Sequence, residues 1–146
     1  MRPRFHLALP VDDLEAARPF YCDLLGCATG REAERWLDLD FFGHQLTLHL
    51  AAAETRPVAT NEVDREQVPA RHFGVILTPG DWQALADRLR AACTRFLIEP
   101  TVRFEGQPGE QRTLFITDPS GNALEFKSFA DDAAVFAQRP AEHDAR

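Results

Sequence analysis

The strongest constraint on this chain is an internal repeat. Phe5-His6-Leu7-Ala8-Leu9-Pro10-Val11 and Arg71-His72-Phe73-Gly74-Val75-Ile76-Leu77 are both strand-like runs with one histidine in second place, and those histidines stand 66 residues apart. Each run leads into an acidic helix start and an amphipathic stretch, Asp13 to Leu25 and Asp81 to Ala92. Leu14, Ala17, Tyr21 and Leu24 fall on one stripe, as do Trp82, Leu85, Leu89 and Ala92. Asp13 and Asp81 are the expected N-caps, because a carboxylate there accepts the unpaired amides of the first turn. Pro19 should weaken or kink the first helix unless it falls in its first turn. Gly26 ends that helix and Cys93-Thr94 the second, with Cys93 repeating Cys27 at the same spacing.

Strand patterns follow in both halves. Trp36 to Phe42 alternates, Gly43-His44 reads as a tight turn, and Gln45 to Leu50 alternates again. In the second half Phe96 to Glu99 and Thr113 to Thr117 precede the turn Asp118-Pro119-Ser120-Gly121-Asn122, and Ala123 to Lys127 follows it. Each half therefore reads β-α-β-β-β, with the stretch from Gly30 to Arg35 the least defined. The prediction is an α+β fold in one domain over residues 1–129, built from a module at 5–50, a polar linker at 51–70 and a module at 71–129. The linker has room for a turn of helix. The acidic tail, 130–146, holds few large apolar residues beyond Val135 and Phe136 and is expected to fray.

Composition narrows the partners. The net charge is −7 over 146 residues with no basic block, which argues against nucleic acid. Apolar runs are strand-sized, short of the ~20 residues a membrane span needs. The start, Met1-Arg2-Pro3-Arg4-Phe5, carries no apolar signal core, so the cytoplasm is the expected compartment. Three cysteines, Cys22, Cys27 and Cys93, have neither a metal nor a disulfide spacing and are expected as buried reduced thiols.

Side chains alternate along a strand, so faces can be assigned from sequence. Phe5, Leu7 and Leu9 oppose His6 and Ala8; Phe73, Val75 and Leu77 oppose His72, Gly74 and Ile76. Leu46, Leu48 and Leu50 oppose Gln45, Thr47 and His49, and Leu124 and Phe126 oppose Ala123, Glu125 and Lys127. Taken singly, such a histidine or glutamate is an ordinary surface residue. Jointly, two histidines at equivalent repeat positions and a glutamate on a later strand make a two-imidazole, one-carboxylate set, which suits Fe(II) and also accepts Zn, Mn, Co or Ni.

The opening Phe5 to Asp13 with Phe20-Tyr21 and Leu24-Leu25-Gly26, and the closing Asp118 to Phe126, resemble the vicinal oxygen chelate superfamily of glyoxalases, extradiol dioxygenases, fosfomycin-resistance transferases and bleomycin-resistance proteins. The resemblance spans residues 5–129. It implies paired βαβββ modules forming an incomplete barrel around a central metal cup, with His6, His72 and Glu125 matching three ligand places. It also implies a homodimer and a small-molecule substrate. The fourth place falls to Gln45, Thr47 or His49. Aligning Gly43 with Gly121 puts Thr47 opposite Glu125, and a slip of one pleat step brings in His49 or Gln45. His49 is favoured as fourth ligand or acid/base, since imidazole serves either purpose.

A glyoxalase-like activity uses a glutamate at that fourth place, and none of the three candidates is acidic. A three-ligand set leaves room for two adjacent substrate oxygens plus dioxygen or water, which is dioxygenase-like. A glyoxalase-like lyase or isomerase remains an alternative. So does a fosfomycin-type thiol transferase, which would need cations drawn from Arg35, Arg71, Arg103, Arg112 and Lys127. A metal-free bleomycin-resistance-like binding protein is a further alternative, its groove lined by Trp36, Phe42, Phe115 and Phe129. Tyr21, on the helix stripe, is assigned to core packing, and His44 and His143 to solvent.

Overall fold

The structure is a computed structural model that describes residues 3–55, 59–63, 66–107 and 109–137. The elements run β1 (His6–Val11), α1 (Leu14–Arg18), β2 (Ala28–Ala33), β3 (Trp36–Phe41) and β4 (His44–Leu50). A short hairpin follows, β5 (Thr60–Val63) and β6 (Glu66–Pro69). Then come β7 (Phe73–Leu77), α2 (Pro79–Ala91), β8 (Phe96–Arg103), β9 (Gln111–Thr117) and β10 (Ala123–Phe129). Two four-stranded mixed sheets result, ordered β1-β4-β3-β2 and β7-β10-β9-β8, with the first strand of each module parallel to its last. This is a paired βαβββ arrangement in which the sheets do not close into one barrel.

Both helix starts are capped, one as predicted. Asp13 Oδ1 accepts from the amides of Glu15 at 2.8 Å and Ala16 at 3.1 Å. The second cap is Thr78 rather than Asp81. Its Oγ1 accepts from the Asp81 amide at 3.2 Å and donates to Asp81 Oδ2 at 2.7 Å, with Pro79 next in the chain. Proline at the first helical position needs no amide partner, so the helix begins there and the Asp81 carboxylate fixes the Thr78 hydroxyl that caps it. Pro19 has the effect expected of it. The α-helix gives way to a π-helical turn over Pro19–Leu24, and the Leu25 amide reaches back five residues to the Phe20 carbonyl at 3.1 Å.

The predicted strand faces hold except at Phe5, which precedes β1 and is 62 % exposed, and they decide how the modules meet. Leu37, Leu39, Leu46 and Leu48 of the first sheet and Leu114, Ile116, Leu124 and Phe126 of the second join Tyr21, Trp82, Leu85 and Leu89 in one apolar core. Phe41 lies 5.5 Å from Phe73 and 6.3 Å from Phe126, ring centre to ring centre, and Trp82 Nε1 donates to the Phe126 carbonyl at 2.9 Å. The Asp118–Asn122 turn fastens the modules further. Tyr21 donates to Asp118 Oδ2 at 2.8 Å, Asn122 Nδ2 to the Pro10 carbonyl at 3.0 Å, and Ser120 Oγ to Asp12 Oδ1 at 2.6 Å. Tyr21 is fully buried, as its packing assignment required, and burial together with Asp118 pushes its phenol well above the ordinary range.

Three details differ from expectation. Cys27 alone of the cysteines is buried, and burial pushes its thiol up to about 12; Cys22 is half-buried and Cys93 exposed, all three free. The linker holds the predicted turn of helix, a 3-10 turn at Ala52–Glu54, but also the unpredicted β5–β6 hairpin. His44 is not a free turn residue: its Nδ1 accepts the Phe5 amide at 3.1 Å. Residues 132–136 of the tail form a 3-10 turn, while residues 138–146, His143 among them, lie outside the described residues.

Candidate functional site

Two polar faces remain once the apolar ones are packed. On the second sheet, β10 carries Glu125 between β7 and β9, where it is buried to 7 % exposure. Thr113 Oγ1 donates to its Oε1 at 2.7 Å. Its Oε2 lies 3.1 Å from His72 Nε2 and 3.3 Å from Lys127 Nζ. Gly74 stands beside Glu125 in register, and a Cβ there would overlap the Glu125 carbonyl, so glycine lets the strands approach.

The histidine is held from its far side. His72 Nδ1 lies 2.7 Å from the Pro69 carbonyl, which can only accept, so the proton belongs on Nδ1. In the neutral ring Nε2 then presents a lone pair toward a carboxylate oxygen. Two lone pairs at 3.1 Å repel unless a proton or a cation lies between them. A backbone carbonyl that fixes the tautomer of a histidine facing a carboxylate is the usual outer support of a metal-ligating imidazole. The separation also suits neighbouring ligands, since two bonds of about 2.1 Å at a right angle put their donor atoms about 3 Å apart. As two of its ligands, His72 and Glu125 fit a divalent metal.

The first sheet presents a different group. His6 lines a cavity of about 430 Å³ with Arg31, Asp38, Asp40, His44 and Gln45. Asp38 of β3 is buried and accepts from Thr47 Oγ1 at 2.6 Å, Arg31 Nη2 at 3.1 Å and Gln45 Nε2 at 3.2 Å. Burial opposes its ionisation, yet these donors outweigh it and hold the carboxyl below its usual value. Asp38 and Thr113 were both missed as functional candidates in the sequence. The available signal was position: each lies on the polar face of an alternating strand, Asp38 directly opposite Thr47.

Register relates the two faces. Ala8 pairs with Thr47 and Gly74 with Glu125, so the repeat makes Thr47 the counterpart of Glu125 and His49 the counterpart of Lys127. Thr47 is committed to Asp38, and His49 is exposed opposite Trp36. The structure brings His72 and Glu125 together but not His6 or His49 with them. Among the described residues, no three of His, Cys, Asp and Glu converge as metal ligands. Both apolar faces contribute to the same core.

Residues 5–126 match the sequence profile of the glyoxalase/bleomycin resistance protein/dioxygenase superfamily. The chain belongs to this superfamily. A glyoxalase/bleomycin resistance protein/dioxygenase from Alicyclobacillus acidocaldarius is 36 % identical, with 92 % of this chain and 96 % of that one covered at a TM-score of 0.75. A genomically encoded fosfomycin resistance protein from Listeria monocytogenes superposes at a TM-score of 0.66 with 12 % identity, covering 88 % and 94 % of the two chains. A lactoylglutathione lyase from Agrobacterium tumefaciens gives 0.62 and 18 %, covering 93 % and 97 %. The last two share the fold. No helix among the described residues is long and apolar enough to cross a membrane.

Proposed function

We propose that this superfamily member is a divalent-metal-dependent enzyme acting on a small substrate with adjacent oxygens, dioxygenase-like in its ligand set. Its centre is formed between two copies of the chain in a cytoplasmic homodimer. The supporting observation is the His72–Glu125 pair, with Nε2 and Oε2 3.1 Å apart and Nδ1 set against the Pro69 carbonyl. His6, at the equivalent place in the repeat, is the third ligand, contributed by the polar face of a second copy. When bound, the metal would supply Lewis acidity toward the substrate's two oxygens, with Fe, Mn, Zn, Ni or Co compatible with these donors. Thr113 keeps Glu125 aimed, the Pro69 carbonyl keeps His72 in one tautomer, and His49 is the group available to move a proton.

Complementation tests this directly. His6→Ala and His72→Ala variants each lose stoichiometric metal. In a two-fold dimer, unfolding and refolding them together returns wild-type sites to about a quarter of positions, because one of the two sites in each mixed dimer is intact. Recovery of neither metal nor activity would falsify the shared centre. Oxygen uptake with catechol-like compounds on the iron-loaded protein supports the dioxygenase reading. Turnover of a hemithioacetal with Ni or Zn, without oxygen uptake, supports the glyoxalase-like one.

One contact favours a second reading. Lys127 already places an ammonium 3.3 Å from Glu125 Oε2, where it neutralises the carboxylate without a metal. A metal-free binding protein of the bleomycin-resistance kind would use the face in that state. Metal analysis of untagged protein before and after incubation with each ion separates the two.

A further inference from the structure

The polar face of the second sheet extends beyond Glu125, and register fixes its rows. Partners directly opposite across antiparallel strands share a face. Glu125 lies level with Phe115 and Ile98. Lys127 lies level with Thr113 and Thr101, with Ile76 beside it on β7. Phe129 lies level with Gln111 and Arg103. Arg103, on the outermost strand, therefore shares the face of Glu125 and Lys127. Its row is about 13 Å along the strand from Glu125, at ~3.3 Å per residue.

Arg103 Nη2 is shielded from solvent and has no hydrogen-bond partner among the described residues. A guanidinium has five donors and cannot discharge by losing its proton, so a buried donor without an acceptor is costly. Such a group is complete when a ligand brings the acceptor. The face is open elsewhere: the Lys127 side chain is 34 % exposed and Ile76 is 48 % exposed. It therefore carries Arg103 and Lys127 on a chain whose net charge is −7, and its Glu125 carboxylate is shared among His72, Lys127 and Thr113.

We infer that this face binds the oxyanion of a substrate, a carboxylate or phosphonate, in the fork of Arg103 with Lys127 as the second cation. The planar guanidinium matches two oxygens of either group. Ile76 and Phe129 offer apolar surface between and beside the charges. The inference rests on the reading above for the location of the reacting oxygens at His72 and Glu125, and it names the other end of the molecule. The substrate class is then a small acid whose anionic group stands apart from its reacting oxygens.

Calorimetric titration of the full chain with benzoate, phenylphosphonate and the neutral isostere benzamide tests this, at low and at physiological salt. Wild type is expected to bind one or both anions, more weakly as salt rises, and not benzamide; the tighter anion identifies the group. Arg103→Gln should weaken anion binding about tenfold or more, and Arg103→Lys by less, because the charge stays while the fork is lost. Equal binding of benzamide and benzoate overturns the inference, and so does unchanged affinity in a correctly folded Arg103→Gln variant. If that variant fails to fold, the benzamide contrast in wild type and the Arg103→Lys titration decide. Metal content measured on the same samples keeps the two readings apart: anion binding in a protein that never takes up metal removes the metal reading and leaves this one standing.

Discussion

Replacing Thr113 by valine probes the aim of Glu125 with almost no change of shape. Thr113 is fully buried, and its hydroxyl is the donor to Glu125 Oε1 at 2.7 Å. A hydrogen bond to a charged group contributes about 1.5–3 kcal/mol, and its loss leaves that oxygen without its donor in a site of 7 % exposure. The added methyl returns up to ~0.8 kcal/mol of apolar burial, so the expected net loss is about 1–2 kcal/mol. Thr113→Ser keeps the hydroxyl and loses a methyl, costing about 0.8 kcal/mol. Stability alone therefore separates the two variants poorly, and ligand aim separates them well. Loss of an outer-shell hydrogen bond lowers metal affinity by about 10–100-fold, so Thr113→Val should show that loss while Thr113→Ser stays near wild type. Urea denaturation gives the first quantity, and zinc competition against a chromophoric chelator the second. In a Glu125→Gln background the Thr113→Val penalty should shrink, since the charged acceptor is gone. If Thr113→Val matches wild type in both assays, the hydroxyl does not orient the carboxylate and the reasoning fails.

Three further outcomes are expected. Tyr21→Phe removes the buried phenol–Asp118 bond between the modules and should cost about 1–2 kcal/mol in urea denaturation, less if Asn122 and its neighbours re-satisfy Asp118. Gly74→Ala places a Cβ against the Glu125 carbonyl, so β7 and β10 must part; zinc affinity should fall along with the melting temperature, whereas a variant that melts like wild type would show that the strands yield freely. Asp38 has its carboxyl held below the usual value, so its stabilising share is present above about pH 3.9 and is lost as pH falls through the lower folded value. Asp38→Asn should be less stable at neutral pH and lose part of the acid-dependent decline in melting temperature; an acid profile parallel to wild type would count against the Thr47, Arg31 and Gln45 bonds as its cause.

Much of this architecture was legible because strand periodicity is local. Leu37, Leu39, Leu46 and Leu48 declared the core face of the first sheet, and alternation then put Asp38 and Thr47 on the other. The His72–Glu125 pairing followed from the repeat and from face assignment. Matching Gly43 to Gly121 already set Thr47 against Glu125, as the register has it. What was not legible depends on contacts distant in sequence. The packing of both apolar faces into one core depends on α1 meeting β4 and on α2 meeting β7 and β10, and joins residues far apart in the chain. The β5–β6 hairpin has little apolar alternation to reveal it; Val68 finds its partners, Ile98 and Phe115, only in the folded chain. Its last residue, Pro69, supplies the carbonyl for His72, and nothing at that position signals the role.

The two halves of the repeat kept the histidine and diverged around it. In the first, the place corresponding to Glu125 is Thr47, and the carboxylate sits on the neighbouring strand as Asp38, already committed to Arg31, Gln45 and Thr47. In the second, the place corresponding to Asp38 is Phe115, whose ring stands 5.1 Å from that of His72, and the carboxylate is Glu125 with Lys127 beyond it. Among the described residues, neither face alone brings three His, Cys, Asp or Glu donors together. A two-fold pairing that sets the first face of one copy against the second face of the other would bring a single imidazole to meet an imidazole–carboxylate pair at each of two sites. The divergence of the repeat then becomes an asymmetry across each site. One wall would be polar and charge-satisfied around Asp38, and the other would carry the ligand pair with Lys127 and Arg103 in line along it. A substrate with two chemically different ends has only one way to lie between such walls.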